Sequence, residues 1–158
     1  IKHDKSSYYP AIALTALVLM LDDSGLQQHH SEVLRVIISI LYRLPSSSTV
    51  DFLPLIVPSL LNNMNKTKED SLRRQFIQHL SSLIAITKNN IKPYLDGVFE
   101  LIHYYWNTAN YYQLFEDDLL KLIRCISYAL GDEFKVYLTD LIPLLLNVLH
   151  TDKSDKRK

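Results

Sequence analysis

The sequence contains little glycine and no excess of charge of one sign, and each shortage excludes a class of function. Three glycines occur in 158 residues, and the nearest two, Gly97 and Gly131, are 34 positions apart. Phosphate-holding loops need glycines a few positions apart, so the usual nucleotide-binding fingerprints are absent. Lys and Arg total 17, as do Asp and Glu. This balance argues against a dedicated binder of nucleic acid or anionic membranes, because both need many cations to neutralise phosphates.

Cysteine and long hydrophobic runs are also scarce. The one cysteine, Cys125, cannot form an intrachain disulfide, which indicates a reduced intracellular compartment. The most apolar run, residues 11–21, stops at Asp22 and has about half of the ~20 residues that cross a bilayer. We therefore expect a core helix there and no membrane span. Neither an initiator Met nor a signal-peptide pattern opens the chain, and we expect it to be a piece of a longer protein.

Apolar residues at helical spacing dominate what remains. The clearest stripe, typical of a buried helix face, consists of Val33, Ile37, Ile40, Leu41 and Leu44. Comparable stripes run over residues 72–84 and 114–130, and Gly131 follows the second where a helix commonly ends in a left-handed residue. We find no convincing strand alternation or hairpin turn. The sequence therefore predicts an all-α fold.

Four segments that open with an aromatic residue align with one another. They begin at Tyr8, Phe52, Tyr94 and Tyr137, which are 44, 42 and 43 residues apart. HEAT and armadillo arrays repeat every ~40 to 47 residues. The spacing thus predicts an α-α superhelix, a HEAT/armadillo-type solenoid in which each repeat is a pair of helices.

Seven predicted helices make about three and a half repeats, and we interpret residues 1–158 as one HEAT-repeat segment. Their predicted ranges are 8–21, 29–44, 50–64, 68–88, 91–106, 113–130 and 133–149. The repeats themselves are predicted near 8–44, 50–88, 91–130 and, incomplete, 133–150. Pro58 and Pro143 fall at one repeat position inside two of these helices, where a proline costs about 3 kcal/mol. The coincidence predicts that the first helix of each pair is bent.

The last predicted helix has no second helix to complete its pair. A solenoid unit buries its apolar face only against neighbours, so Ile142, Leu145, Leu146 and Leu149 cannot all be covered. We expect the array to continue past this chain, and the isolated chain to be marginally stable or prone to self-association.

Candidate catalytic and metal-binding groups are few. His29 and His30 point about 100° apart on a helix, and no further ligand is spaced to join them and Glu32. Cys125 lies in an apolar pattern, where a thiol behaves as a small hydrophobe. Residues 116–118 are acidic and suit the first turn of a helix. We predict no catalytic, metal-binding or cofactor-binding site.

An aromatic cluster surrounds the predicted turn near residue 108. Its candidate partner-binding residues are Tyr104, Tyr105, Trp106, Tyr111 and Tyr112. If the cluster is exposed, it marks a docking ridge, because aromatic residues are enriched at interface centres. The alternative, which we favour, is that Tyr105, Trp106 and Tyr112 pack the turn against the next repeat.

Short motifs in a fixed order resemble the amino-terminal HEAT region of target-of-rapamycin (TOR) kinases, from about Tyr8 to Ser154. The first half contains Tyr8-Tyr9-Pro10, Asp23-Ser24, Leu26, His29-His30, Phe52-Leu53-Pro54, Ile56 and Pro58. The second half contains Ile91-Lys92-Pro93-Tyr94, Leu101-Ile102, Trp106, Ala129-Leu130-Gly131, Glu133-Phe134-Lys135, Tyr137-Leu138 and Leu141-Ile142-Pro143. Residues 45–49 and 108–115 depart from the pattern.

The resemblance implies a large Ser/Thr protein kinase of the phosphatidylinositol-3-kinase-related family, with ATP and Mg in a kinase domain outside this segment. It implies nutrient-responsive growth signalling in TORC1 and TORC2 complexes, with Raptor-type or Rictor-type subunits and a second TOR copy as partners. It also implies a cytoplasmic protein whose complex associates with endosomal, lysosomal or vacuolar membranes. No kinase catalytic-loop or Asp-Phe-Gly motif occurs in this chain.

The favoured function is therefore a non-catalytic scaffold segment that binds partner subunits and has no cofactor of its own. A second hypothesis is a HEAT module of a nuclear transport receptor or phosphatase scaffold. A third is a small all-α enzyme that uses His29, His30 or Cys125.

Overall fold

Eight α-helices joined by short connections form the chain in a computed structural model, which describes residues 5–155 and, within them, the side chains of 8–108 and 110–150. The helices are α1 (Lys5–Asp22), α2 (His30–Arg43), α3 (Ser46–Thr49), α4 (Leu53–Lys66), α5 (Asp70–Thr87), α6 (Leu95–Asn107), α7 (Ala109–Leu130) and α8 (Lys135–Asp155). Four 3-10 helices lie between them, at Ser24–His29, Val50–Phe52, Lys88–Tyr94 and Gly131–Phe134. No strand occurs within the described range, and the all-α prediction is confirmed.

The seven long helices match the predicted ones with small shifts at their ends. The largest shift is at the end of α8, which reaches Asp155 where residue 149 was predicted. Helix α7 begins at Ala109 where residue 113 was predicted, so that Thr108 alone separates it from α6. The predicted start of α6 at residue 91 is also wrong, because Lys88–Tyr94 forms a separate 3-10 helix with Pro93 inside it. The short helix α3 was not predicted. Helix α4 is continuous through Pro58, and the bend expected there stays a prediction.

The helices form two layers, as in a HEAT-type solenoid. In the first layer α1 packs on α4 and α4 on α6, while in the second layer α5 lies between α2 and α7. The pairs α1 with α2, α4 with α5, and α6 with α7 join the layers. Apolar faces from both layers meet in one continuous core, because each paired helix buries a stripe against its pair and its neighbours.

Polar side chains connect successive repeats. In the first layer, the Asp22 carboxylate accepts hydrogen bonds from Ser59 Oγ at 2.6 Å and Asn63 Nδ2 at 2.8 Å. In the second layer, Arg74 Nε lies 3.1 Å from a carboxylate oxygen of Asp118. These contacts join residues about one repeat apart, which adds directional bonds to the apolar packing.

The ends of α5 and α7 have nearly the same backbone conformation. Lys88 has φ 52° and ψ −130°, and Gly131 has φ 57° and ψ −128°. The two residues are 43 positions apart, which is the predicted repeat length. The positive φ expected at Gly131 is confirmed. Lys88 adopts it with a side chain, although this region of φ and ψ favours glycine.

Helix α8 is covered on one side. Leu141 and Leu144 are buried, whereas Ile142, Leu146 and Leu149 are exposed, as predicted for a last helix without a pair. Leu145 is half-buried against the core and is not part of the exposed face. Among residues 5–155, no single helix has both the length and the apolar composition of a membrane span. Only Tyr8–Asp22 and Ser24–Arg43 taken together reach these limits, and they are bent by 109°.

Candidate functional site

The aromatic cluster forms where α6 ends and α7 begins. Tyr105 is fully buried, and its hydroxyl donates a hydrogen bond to the Met64 carbonyl oxygen at 3.3 Å. Because Met64 belongs to α4, Tyr105 joins this turn to the preceding repeat. Burial raises the pKa of the Tyr105 hydroxyl to about 12, against the opposing charge of Arg73.

Three more members of the cluster also pack inward. Trp106 is buried, and its ring centroid lies 5.3 Å from that of half-buried Tyr112. Half-buried Tyr111 meets the Tyr105 ring edge to face, with centroids 5.4 Å apart. Tyr105, Trp106 and Tyr112, the three residues that we favoured for packing, thus contact other residues of the core, as does Tyr111. The hydrogen bond of Tyr105 goes to the preceding repeat, whereas we expected packing against the next one.

Arg73 of α5 closes the inner side of the cluster. Its guanidinium carbon lies 4.6 Å from the Tyr111 ring centroid, a cation–π distance. Its side chain is buried, pairs with Asp70 at 2.6 Å and donates to the Thr67 carbonyl oxygen. Arg73 Nε has no hydrogen-bond partner within the described residues. This buried cation holds the α4–α5 turn against α7, a contact for which the sequence offered no signal.

Tyr104 is the exposed member of the cluster. Its side chain is 56% exposed, although its ring still touches Tyr105, with centroids 5.4 Å apart. Successive residues of a helix point about 100° apart, so Tyr104 faces solvent while Tyr105 faces the core. Tyr104 is thus the cluster residue best placed to contact another protein.

Two clefts meet at Tyr104. A cleft of about 740 Å³ lies between α6 and α8, and one of about 460 Å³ lies between α4 and α6. Both are lined by Glu100 and Tyr104. The larger cleft is lined by Asp96, Phe99, Glu100, His103, Tyr104, Asn107, Thr108, Tyr137 and Asp140. We name these two clefts and the residue between them the Tyr104 surface.

The Tyr104 surface is acidic. Asp96, Glu100 and Asp140 are exposed in the larger cleft, and none of them forms an ion pair within the described part of the chain. Phe99 and Tyr137 stack at its floor, with ring centroids 4.6 Å apart. Carboxylates beside an exposed aromatic ring can bind a cationic side chain through both charge and ring contact.

No sequence motif marks these carboxylates as a group. Asp96 lies on α6 and Asp140 on α8, in successive repeats. The alignment of Tyr94 with Tyr137 carried the necessary signal, because it places α6 and α8 side by side in the first layer. Gly97 assists at the other cleft, where a Cβ would lie 3.0 Å from Leu61 Cδ1, so glycine lets α6 approach α4.

The remaining candidates have structural partners. His30 is buried, and its Nε2 lies 3.0 Å from the Asp23 carbonyl oxygen, while His29 Nε2 lies 3.2 Å from Gln28 Nε2. Cys125 is half-buried on α7. Across the described residues, no three His, Cys, Asp or Glu side chains are grouped closely enough to hold a metal ion.

The acidic run at residues 116–118 differs from its prediction. Because α7 begins at Ala109, the run lies about two turns inside the helix and not in its first turn. Asp118 binds Arg74 and also accepts from Gln78 Nε2 at 3.0 Å. Asp118 therefore ties α7 to α5, and helix capping does not account for it.

Comparison with known proteins gives one family match over the first half of the chain and relatives over nearly all of it. A family profile described as the serine/threonine-protein kinase mTOR domain matches residues 1–88. The chain is 37% identical over 150 residues to the serine/threonine-protein kinase mTor of Drosophila melanogaster, which covers 95% of the chain. It is 34% identical over 149 residues to the serine/threonine-protein kinase tor1 of Schizosaccharomyces pombe, which covers 94% of the chain. In both cases the chain spans 6% of the relative's length.

Proposed function

Because the chain belongs to the target-of-rapamycin family of serine/threonine-protein kinases, we propose that it serves such a kinase as a non-catalytic scaffold segment that binds partner subunits. The observation that carries the proposal is the Tyr104 surface: an exposed aromatic residue between two clefts, beside three unpaired carboxylates. A partner residue that combines a cation with an aliphatic stem, such as Arg, suits this combination.

The architecture supports the same role. Stacked helix pairs present long surfaces, and a stable interface needs about 800 Å² from each partner. Partner side chains that enter the clefts beside Tyr104 would anchor the contact, and the surrounding first-layer residues would exclude water from it.

We extend the proposal to the parent complexes. The partners are a Raptor-type subunit in TORC1, a Rictor-type subunit in TORC2 and a second copy of the kinase, in nutrient-responsive growth signalling. ATP and Mg belong to a kinase domain outside this chain, and the complexes act in the cytoplasm and on endosomal, lysosomal or vacuolar membranes.

The rival hypotheses have less support. A nuclear transport receptor or phosphatase scaffold shares the fold, but the family match is to TOR kinases. The enzyme hypothesis relies on His29, His30 and Cys125. The Nε2 atom of His30 already contacts the backbone carbonyl oxygen of Asp23. Replacement of both histidines with Ala and of Cys125 with Ser tests it, since loss of activity in a complex of unchanged composition would support an enzyme.

The scaffold proposal is tested by changing the Tyr104 surface in the full-length kinase. The double variant Tyr104→Ala, Glu100→Lys is expected to recover about tenfold less of a Raptor-type or Rictor-type subunit in quantitative affinity purification. Asp132→Lys is the matched control, because Asp132 is an exposed carboxylate in the turn before α8. Unchanged recovery of both subunits by the double variant contradicts the assignment of this surface.

A further inference from the structure

The second layer presents two exposed tyrosines at one position of the repeat. Tyr42 of α2 is 79% exposed and Tyr128 of α7 is 81% exposed. Ala85 of α5 lies 43 residues from each of them, which is the repeat length shown by Lys88 and Gly131. Because α5 lies between α2 and α7, the three residues form a row across the layer, with a small residue between two aromatic ones.

A groove runs beside this row. It lies between α2 and α5, has a volume of about 660 Å³, and includes Ile38, Tyr42, Ala85 and Ile86 in its lining. Arg43 is the only charged residue that lines it. Ala85 contributes only a methyl group to the lining of the groove, whereas Tyr42 contributes a large aromatic side chain. Three serines also line the groove, which thus offers apolar and hydroxyl contacts next to a single positive charge.

Positive charge flanks the row on α2 and on α7. The C-terminal halves of α2, α5 and α7, residues 37–43, 79–87 and 120–130, contain no Asp or Glu. Lys121 and Arg124 are exposed on α7, and Arg124 lies one turn before Tyr128 on the same helix face. Neither these two residues nor Arg43 has an ion-pair partner in the part of the chain that the structure describes.

Helix stability explains only part of this pattern. A cation near a helix C-terminus interacts favourably with the helix dipole, which accounts for Arg43 in the last turn of α2. The dipole gives no reason for two tyrosines to be exposed at equal positions two repeats apart. Large exposed aromatic side chains beside a groove with apolar lining are instead features of binding surfaces.

We propose that the row Tyr42, Ala85 and Tyr128, with Arg43 and Arg124, binds an acidic amphipathic helix of a partner protein. Neighbouring helices lie 8–10 Å apart, so the row spans about 20 Å, the length of about 13 helical residues. Aliphatic residues on one face of the partner helix contact the groove and the tyrosine rings. Carboxylates along its edge pair with Arg43 and Arg124. This surface lies on the opposite layer from the Tyr104 surface and has the opposite charge.

A synthetic peptide tests the proposal with the whole 158-residue chain. The probe is a fluorescein-labelled helical peptide of about 14 residues with Leu on one face and Glu along its edges. Fluorescence anisotropy is expected to show saturable binding that weakens as salt is raised. A peptide with Lys in place of every Glu is expected not to bind.

Two pairs of variants separate charge from packing. Arg43→Gln with Arg124→Gln, and separately Tyr42→Ala with Tyr128→Ala, are each expected to weaken binding about tenfold. Lys66→Gln on the first layer, an exposed cation outside both clefts of the Tyr104 surface, is the control and leaves the affinity unchanged. Circular dichroism melts of every variant verify folding, and the Gln pair retains polar side chains at both sites should the Ala pair melt early.

Three results would overturn the proposal. One is equal binding of the acidic and basic peptides. Another is undiminished binding by both variant pairs. The third is binding of phosphatidylserine vesicles, but not of the peptide, in a manner that depends on Arg43 and Arg124, which would assign the surface to an anionic membrane.

Discussion

Helices α5 and α8 differ in how many neighbours cover them. Helix α5 packs against α2 on one side, α7 on the other and α4 behind it, and Phe76, Leu80 and Leu83 are fully buried. Helix α8 buries Leu141 and Leu144, but the next turns leave Leu146 and Leu149 exposed. Both helices carry broad apolar stripes, so their amino-acid composition does not explain the difference in burial.

The contrast shows that stability in this fold comes from stacking. Burial of one Leu side chain contributes about 1.5 to 3 kcal/mol to the free energy of folding. Helix α5 buries apolar side chains against neighbours on several sides. Helix α8 buries apolar side chains only where it packs against the preceding repeat. In a solenoid the same helix gains or loses stability according to its neighbours, and the end of an array is its weakest part.

The largest expected effect compares one core residue with one end residue. Phe76→Ala in α5 should lower the free energy of unfolding by about 3 to 5 kcal/mol, because it leaves a cavity between three helices. Leu146→Ala in α8 should cost less than about 0.5 kcal/mol, because its side chain already contacts water. Urea denaturation followed by circular dichroism measures both. Equal costs would mean that another copy of the chain covers α8.

The next effect concerns the matching turns after α5 and α7. Lys88→Gly should stabilise the chain by about 1 kcal/mol, since glycine relieves the cost of a side chain at positive φ. Gly131→Ala should destabilise it by about 1 to 2 kcal/mol for the same reason, although no atom lies within 4 Å of the added Cβ.

Thermal melts of both variants measure these changes, and Lys88→Ala is the control for loss of the lysine itself. Because alanine keeps a Cβ, it should not reproduce the gain from glycine. A gain of equal size from Lys88→Ala would show that the lysine side chain, and not the backbone, is the source of the strain.

The exposed face of α8 should control self-association. The triple variant Ile142→Gln, Leu146→Gln, Leu149→Gln should weaken association of the chain about tenfold, because it replaces the apolar patch with polar groups. Sedimentation velocity over a concentration series measures it. Replacement of Tyr8 and Tyr9, which are exposed on α1, tests whether the other end associates instead. A monodisperse unmodified chain that melts cooperatively would contradict the expectation.

The repeat pattern was sufficient to predict most of this fold. Apolar spacing located seven helices, and the aromatic positions 8, 52, 94 and 137 placed them in register. The start of α7 was missed because Tyr111 and Tyr112 are poor helix formers in isolation, and their order comes from packing with Tyr105, Trp106 and Arg73. Tertiary contact overrode local preference at this turn.

The candidate site was only partly predictable. Composition and position identified the aromatic cluster. They did not show that Tyr104 is exposed and Tyr105 is buried, because the two are adjacent residues of the same type. Which of them faces solvent depends on the rotation of α6 against α4 and α8. Overall charge neutrality likewise concealed the opposite charges of the two proposed binding surfaces, because a sum over the chain has no direction.

The smallest expected effect is a pH dependence located in α5. Burial lowers the pKa of His79 from its usual 6.5, so the unfolded chain binds a proton more readily there than the folded chain. Stability should therefore fall as the pH drops through the unfolded value. His79→Gln should reduce the loss measured by urea denaturation between about pH 7.5 and pH 5.5. Ser82→Ala on the same helix should not, since it removes no titratable group. If both variants flatten the profile equally, burial of His79 between the neighbours of α5 is not the source of the pH dependence.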